Sequence, residues 1–527
     1  MIIRSIATIG SFTIMSRVLG FVRDALIAAF LGAGPIADAF IVAFKLPNFF
    51  RRLFGEGALN SAFVPMFSRY YASKGLAAAT QMAEQIFTVL LVTLLLLVVG
   101  VELATPWLMY VIAPGFSVTP ERFSYAVEFT RVTFPYILFI SLSAFLSGIL
   151  NSLNRFAASA AAPILLNLVM IAALIGFKDL MATVGHVLVW AVAVSGILQF
   201  LWMRYATAKA GVKIRLVKPS LTPAVRQLLK VMLPGALGAG VIQINLFIDI
   251  VIASLLPVGG VSYLFYADRL VQLPLSVIGI AMSTALLPVL AKHLQSGKIE
   301  TAHLTQNRAV EFSLILTLPA SMALMILAHP IISMLFERGK FGSYEALQTA
   351  YVLAIFASGL PAYIMVKIFS TSFFAKYDTK TPVIAALLGM AVNVILNFSL
   401  LVPFKHLGIA FATVVASWVN AGFLFFKLRS TENFSFDERL KEKTPRILLA
   451  TILMALVLGL SLAGFYEALT SPSFLQWGFL TGLIGLGFSV YLLSAQLLKA
   501  FDIKKLIQLF LKSKADQRLA NDKKAFI

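Results

Sequence analysis

The stretch Val89–Val101 (VLLVTLLLLVVGV) is apolar on every side. A membrane barrel strand alternates polar and apolar residues with a period of two, which this stretch does not do. A helix that crosses lipid satisfies its own backbone hydrogen bonds and needs about 20 apolar residues. Hydrophobic segments of this kind recur fourteen times, at 6–32, 35–66, 80–113, 123–150, 156–177, 183–207, 226–256, 260–291, 308–336, 345–375, 381–403, 407–428, 446–468 and 474–499. The second is the least regular, because Pro47 interrupts it and Arg51, Arg52 and Glu56 follow. The sequence therefore reads as an all-α polytopic membrane protein with fourteen transmembrane helices. With 60% hydrophobic residues, 13% charged residues and a mean hydropathy of +0.91, it lies outside the range of soluble enzymes and disordered chains. It contains no cysteine, which excludes disulfides, thiol chemistry and cysteine-based metal sites. A cleaved signal peptide is not expected, since Arg17, Arg23 and Asp24 interrupt the first apolar stretch.

The 43 basic and 23 acidic residues leave a net charge of +20. In a soluble protein that excess suggests nucleic acid; here it marks loops beside anionic lipid, and no nucleic-acid partner is expected. With the N-terminus inside, 32 Lys and Arg fall on cytoplasmic faces, 5 on outer faces (Arg122, Lys178, Arg338, Lys340, Lys405) and 6 within spans. This asymmetry places both termini in the cytoplasm. The region after residue 500, with Lys504, Lys505, Lys512 and Lys514, reads as a basic amphipathic tail on membrane lipid.

Anchors recur about 225 residues apart. Leu46-Pro47 matches Leu273-Pro274, and Phe63-Val64-Pro65 matches Leu286-Leu287-Pro288. Gly115-Phe116 precedes Pro135 much as Phe341 precedes Pro361. These anchors predict two six-helix lobes, 1–215 and 220–430, related as parallel repeats by a pseudo-two-fold axis. Two further helices at 445–500 and the tail 501–527 complete the chain.

Charges inside spans carry the functional information. Each Arg or Lys at a helix centre opposes insertion by roughly 2.5–3.5 kcal/mol, so six (Arg17, Arg23, Lys45, Arg131, Arg269, Lys367) oppose it by roughly 15–20 kcal/mol before pairing. Lys45 and Lys367 can snorkel, and Arg131 can pair with Glu128 or reach a headgroup. Arg17 and Asp24 are seven residues apart and share a helix face. Asp38 follows in the second span, then Arg51, Arg52 and Glu56, and the second half adds Asp268 and Arg269. Internal pairing, such as Asp24 with Arg23, accounts for part of this set. Surplus cation calls for a water-filled cavity or an anionic ligand, and arginine suits the oxygens of phosphate. Asp249, the i, i+4 pair Asn393 and Asn397, and Thr413 offer oxygens without basic neighbours. They suit either a monovalent cation or interhelical hydrogen bonds.

No G-x-x-x-x-G-K-[ST] loop, histidine metal spacing, G-x-S-x-G elbow or D-D-x-x-D pattern occurs, so an enzyme is not expected. The intramembrane arginines also argue against a cationic-drug antiporter, whose substrate they would repel. A membrane scaffold protein would not require them.

The motifs Ser16-Arg17-Val18-Leu19-Gly20-Phe21-Val22-Arg23-Asp24, Ala37-Asp38-Ala39-Phe40, Lys45-Leu46-Pro47-Asn48, Arg51-Arg52-Leu53-Phe54 and Tyr266-Ala267-Asp268-Arg269 resemble the signature of the MurJ (MviN) lipid II flippases. These belong to the multidrug/oligosaccharidyl-lipid/polysaccharide exporter superfamily. The resemblance implies two lobes around a cationic cavity, alternating access, and no cofactor beyond coupling to a monovalent cation (Na+ or H+) or the membrane potential. It implies lipid II, the undecaprenyl pyrophosphate-linked muropeptide, as substrate, moved across the cytoplasmic membrane for peptidoglycan assembly. Cell-wall synthesis machinery is a further implied partner. The family's functional arginines fall on Arg17, Arg23, Arg51 and Arg269, and its cavity acids on Asp24, Asp38 and Glu56. Arg52, Asp268, Ser262, Lys45 and Asn48 are added as candidate lining residues, and Asp24 and Asp38 are expected to compete with pyrophosphate for the arginines. The last two helices are expected to form a groove for the polyprenyl tail. A flippase for another polyprenyl-linked oligosaccharide, or a cation-coupled exporter of the superfamily, is the near alternative.

Overall fold

The structure, a computed structural model, describes residues 2–51, 59–432, 434–465 and 475–501. Among these residues there is no β-strand, only an isolated bridge between Arg338 and Phe341. The helices, in order, are α1 (Ile2–Leu31), α2 (Pro35–Phe50), α3 (Asn60–Ile112), α4 (Pro120–Thr133), α5 (Tyr136–Ser152), α6 (Ala157–Gly176), α7 (Val184–Lys209), α8 (Pro223–Ser254) and α9 (Gly260–Pro274). After a π-helical turn (Leu275–Ile280) come α10 (Ala281–Gln295), α11 (Ile299–Ile326), α12 (Ala328–Phe336), α13 (Ser343–Ser358), α14 (Leu360–Ala375), α15 (Lys380–Glu432), α16 (Glu438–Gly464) and α17 (Leu475–Leu497). Among the described residues, ten helical stretches are long and apolar enough to cross a membrane.

The hydrophobic segments and the helices do not coincide everywhere. The segment 35–66 holds the end of α2 at Phe50 and the start of α3 at Asn60, with residues 52–58 outside the described residues, and α3 runs on to Ile112. Gly75, at φ +79°, bends that helix where an L side chain would be strained. The segment 308–336 breaks at Leu327, between α11 and α12. The fifty-three residues of α15 would span about 80 Å if straight, twice a bilayer. Instead α15 folds back at Lys405 (φ +50°): a Cβ on Gly389 would stand 3.1 Å from Ala416 O, and one on Gly408 would stand 2.5 Å from Leu400 O.

Prolines leave backbone carbonyls without their helical donor at several points. Pro47 has no N–H to give the carbonyl of Ala43; Thr133 Oγ1 of α4 stands 3.2 Å from that oxygen. Pro361 frees the carbonyl of Ala357, and Ser321 Oγ of α11 donates to it at 2.6 Å. At Ala357 a hydroxyl from a neighbouring helix thus replaces the missing backbone donor, as the membrane interior requires; the Thr133 hydroxyl lies closer to Phe129 O of its own helix, at 2.9 Å. Pro135 separates α4 from α5, and Gly359 separates α13 from α14.

The chain forms two compact units, Met1–Tyr266 with Phe336–Ala346, and Ala267–Leu335 with Leu347–Ile527. In the first, α1 packs on α6, α6 and α5 on α7, α2 on α4, and α3 on α5 and α8. Phe63, Phe67, Phe87 and Phe145 fill the centre of this packing, with Phe63 and Phe145 ring centroids 4.3 Å apart. In the second, α16 packs on α11 and α17, and Tyr491 Oη donates to Ile315 O at 2.7 Å.

An ionic cluster fastens the start of α16 to α11. Glu311 is buried and accepts Arg439 Nη2 and Lys443 Nζ, each at 3.0 Å. Arg308 bridges Glu311 and Asp437, and Asp437 caps α16 by accepting Leu440 N–H at 2.8 Å. Glu311→Gln should cost about 2–3 kcal/mol, because three cations lose a buried carboxylate. Arg446→Gln, whose partner Glu442 is exposed, should cost less than about 1 kcal/mol. Thermal midpoints of the purified variants check this; equal midpoints would remove the cluster from the account of how α16 is held.

Candidate functional site

Two buried ionic constellations stand out in the first unit. The first joins α1 to α6. Arg23 donates from Nε (3.0 Å) and Nη2 (2.7 Å) to one oxygen of Asp24, and from Nη1 (2.9 Å) to Asn167 Oδ1. Asn167 Nδ2 donates to the Ser16 carbonyl at 2.9 Å, which ties Asn167 to the residue before Arg17. Gly20 leaves room for the amide: a Cβ there would already lie 3.6 Å from Asn167 Nδ2. The Arg23 guanidinium also lies 5.8 Å from the Phe44 ring centroid, within cation–π range. Arg23 and Asp24 are buried, whereas Arg17 is exposed. Asp24 is therefore turned into the packing and not onto an open face. Arg23 reaches back along its own helix and neutralises it, using both edges of the guanidinium.

The second constellation centres on Asp38, which has no exposed surface. Its carboxylate pairs with Arg122 Nη2 of α4 at 2.9 Å. It also accepts Gly259 N–H (2.8 Å), Ser262 N–H (3.0 Å) and Ser262 Oγ–H (2.7 Å) at the start of α9. A carboxylate at a helix N-terminus meets unsatisfied backbone donors and the positive end of the helix dipole. Arg122 in turn donates to Leu256 O at 2.9 Å and covers the Phe116 ring at 3.8 Å. The sequence places Arg122 in an outer loop and expects Asp38 to compete for the cavity arginines. In this structure Arg122 is buried in the first turn of α4, and it is the arginine that pairs with Asp38.

Glycines let the backbones around this carboxylate touch. A Cβ on Gly115 would stand 2.3 Å from Ser254 O, and one on Gly259 (φ +91°) would stand 2.9 Å from Ala33 O. A Cβ on Gly339 (φ +61°) would stand 2.3 Å from Ala29 O, the oxygen that accepts Lys340 N–H at 2.8 Å. Four connections that the basic-residue count assigns to the outer face (around residues 32–34, 113–119, 255–259 and 337–342) therefore lie backbone to backbone, bound by one buried ion pair.

The remaining sequence candidates are placed as follows. Arg51 is half-buried at the end of α2 and donates from Nε to Asn48 Oδ1 at 3.3 Å. Lys45 is half-buried on α2. Arg52 and Glu56 lie outside the described residues, as does the tail beyond residue 501. Asp268 is exposed on α9 and accepts Gln272 Nε2 at 2.7 Å, and Arg269 beside it is half-buried; both belong to the second unit. Arg131 does not pair with Glu128, whose carboxylate meets His186 Nε2 at 3.0 Å.

The structure brings together three of the four candidate cation ligands. Across the α15 hairpin, Asn397 Nδ2 donates to Asn393 Oδ1 (2.8 Å) and Asn393 Nδ2 to Thr413 Oγ1 (3.4 Å). Asn397 Oδ1 is buried and accepts no hydrogen bond, so one oxygen there suits a cation. Asp249 lies on α8 in the first unit. Among the described residues, no group of three or more His, Cys, Asp or Glu side chains could hold a metal ion.

Asn167 and Arg122 escape a reading of the sequence. Asn167 leaves one trace, a lone amide in the apolar run Ala160–Ala173. Arg122 leaves none beyond its place beside Pro120, which opens α4.

Comparison with known proteins decides the family. The family model described as "Lipid II flippase MurJ" matches residues 27–480. The chain belongs to the MurJ lipid II flippase family. A MurJ relative from Rhizobium meliloti, named a probable lipid II flippase, is 43% identical over 497 residues, covering 93% of this chain and 92% of that protein. The lipid II flippase MurJ of Burkholderia cenocepacia is 36% identical over 432 residues, covering 81% and 83%. A solved structure of a lipid II flippase MurJ in an inward closed conformation superposes with a TM-score of 0.75 at 26% identity, covering 93% of this chain and 98% of that one. An inward-facing multidrug transporter of the MATE family shares the fold, with a TM-score of 0.61 at 18% identity. Family and apolar helices together make this a multi-pass membrane protein.

Proposed function

We propose that this chain moves lipid II from the cytoplasmic to the outer leaflet of the bacterial cytoplasmic membrane by alternating access. The observation that carries the reading is the family match across residues 27–480, on a chain whose intramembrane arginine forks onto a carboxylate. In this reading the fourteen spans form two six-helix lobes with both termini in the cytoplasm, and the last helix pair serves the polyprenyl tail. Arg17, Arg23, Arg51 and Arg269 supply the charge that a pyrophosphate requires, with Arg52 beside them.

The geometry of Arg23 suggests how binding and release are balanced. Its guanidinium is occupied by Asp24 and Asn167, so a pyrophosphate oxygen takes over donors already desolvated and aimed. Asp24 reclaims them when the ligand leaves, which keeps binding from becoming a trap. Opening toward the outer leaflet requires Asp38 to release Gly259 and Ser262, and closure reforms those bonds. A monovalent cation at Asn393, Asn397 and Thr413 would supply the coupling, with Asp249 as a separate candidate on α8; the first three also hold the α15 hairpin together.

The expected outcome in cells depleted of their own lipid II flippase is rescue of growth by the wild-type chain. Arg23→Ala should abolish rescue. Arg23→Lys should lose most of it, because an ammonium is a point charge and cannot reach Asp24 and Asn167 as a planar fork. Full rescue by both variants at equal expression would remove Arg23 from the substrate site. Failure of a stably inserted wild type would point to a different lipid-linked sugar.

A further inference from the structure

The second unit contains two adjoining cavities that none of the substrate candidates line. One is an apolar crevice of about 560 Å³ against α11, α14, α15 and α16, walled by Leu314, Met365, Phe369, Trp418, Phe425 and Leu448. The other is a polar cleft of about 300 Å³ formed by Phe373, Lys376, Asp378, Thr381, Lys427 and Thr431. The two are neighbours along both helices that form them. Phe369 and Phe373 are one turn apart on α14, and Phe425 and Lys427 are two residues apart on α15. The Phe369 and Phe425 rings, 5.8 Å apart, both line the crevice. Both cavities lie on the face that the basic-residue count assigns to the cytoplasm.

We propose that these cavities form a binding site for an anionic phospholipid of the cytoplasmic leaflet, with the phosphate at Lys427 and Lys376 and one acyl chain in the crevice. The pairing of an apolar slot with a cationic mouth matches the two ends of such a lipid. A methylene takes roughly the 30 Å³ of a water molecule, so the crevice has room for about one long acyl chain. The cleft also holds a carboxylate, and its charge is already engaged. Asp378 accepts Thr381 Oγ1–H (2.6 Å), Thr381 N–H (3.0 Å) and Lys380 N–H (2.9 Å) at the start of α15. The Thr381 hydroxyl above all, with these amides, holds its acid below the usual carboxylate range. Lys427 makes no ion pair among the described residues. At the far rim of the crevice, Lys441 is bonded to Glu438 at 2.8 Å. An apolar slot opening beside a phosphate site selects a lipid over a free anion. The α17 helix contributes no wall to either cavity, whereas α16 walls the crevice.

The test uses the purified full-length chain, delipidated in detergent and mixed with phosphatidylglycerol or phosphatidylcholine of the same acyl chains. Native mass spectrometry counts the lipids retained. The wild type should retain phosphatidylglycerol several-fold over phosphatidylcholine. The double variant Lys376→Gln/Lys427→Gln should lose that preference, since both side chains are exposed and their replacement leaves the fold intact. Gly422→Leu should lower retention of both lipids, because Gly422 lines the crevice and its Cβ position is open. Millimolar inorganic phosphate should not displace the lipid. Equal retention of the two lipids by the wild type, an undiminished preference in the lysine variant, or displacement by phosphate alone would each overturn the proposal. None of these readouts depends on transport, so failure here leaves the flippase reading standing, and the reverse also holds.

Discussion

Replacing Asp38 by alanine should open the outer face and stop transport. The substitution leaves Arg122, which is 1% exposed, without its counter-charge, and it strips the acceptor from Gly259 N–H and both donors of Ser262. Breaking a buried pair by removing one partner costs about 3–5 kcal/mol, or a shift of roughly a hundred- to several-thousand-fold in the closing equilibrium. The absence of cysteine allows a clean reporter. Ala28, fully buried on α1 beside Ala29, can carry a single thiol. In intact cells an impermeant maleimide should label Ala28→Cys slowly in the parent and rapidly with Asp38→Ala. Asp38→Asn keeps an oxygen for Ser262 and should fall between the two. Unchanged labelling together with full transport in Asp38→Ala would show that the buried pair does not hold the closure.

Gly339→Ala should be nearly as damaging, for a steric reason. At φ +61° a side chain costs about 1–2 kcal/mol by itself. The new Cβ would also stand 2.3 Å from Ala29 O, and that oxygen belongs to the backbone and cannot swing away. The turn at 338–341 then cannot seat, and Lys340 N–H loses Ala29 O. Transport should drop at least tenfold, with faster labelling of Ala28→Cys. Gly75→Ala is the control, since Gly75 shares the left-handed conformation (φ +79°) but faces open space; it should lose no more than the strain. Equal losses in the two variants would mean that backbone strain, not contact with α1, accounts for the effect.

Much of the architecture is legible in the sequence because the bilayer is an exacting solvent. Apolar runs of crossing length have one fate in lipid, so helices appear where Val89–Val101 and its counterparts predict them. Proline is legible as a local signal, since Pro47 and Pro361 each lack the N–H that a helix would use, and a hydroxyl of a neighbouring helix lies near each freed carbonyl. The course of α3 is only half legible: Pro47 and the charges after it signal irregularity, but not that the helix running from Asn60 bends at Gly75.

The buried ion pairs are legible in their parts and not in their pairing. A charge in a span announces a partner without naming it. Side chains at i and i+1 do not face each other on a helix, yet Arg23 folds back onto Asp24, because Asn167 of α6 holds the other edge of its guanidinium. Asp38 and Arg122 lie 84 residues apart, and a count of basic residues by loop treats Arg122 as one more outer charge. Only packing of α2 against α4 reveals that Arg122 is buried beneath Leu256 and Phe116.

The most direct measurement is the leaflet exposure of lipid II in cells depleted of their own flippase, read by an impermeant modifier of the outer-leaflet headgroup. The wild-type chain should expose lipid II, whereas Arg23→Ala and Arg269→Ala, expressed equally, should leave it on the cytoplasmic side. Exposure in both arginine variants equal to the wild type would contradict the account, for the intramembrane arginines would then have no part in moving the substrate.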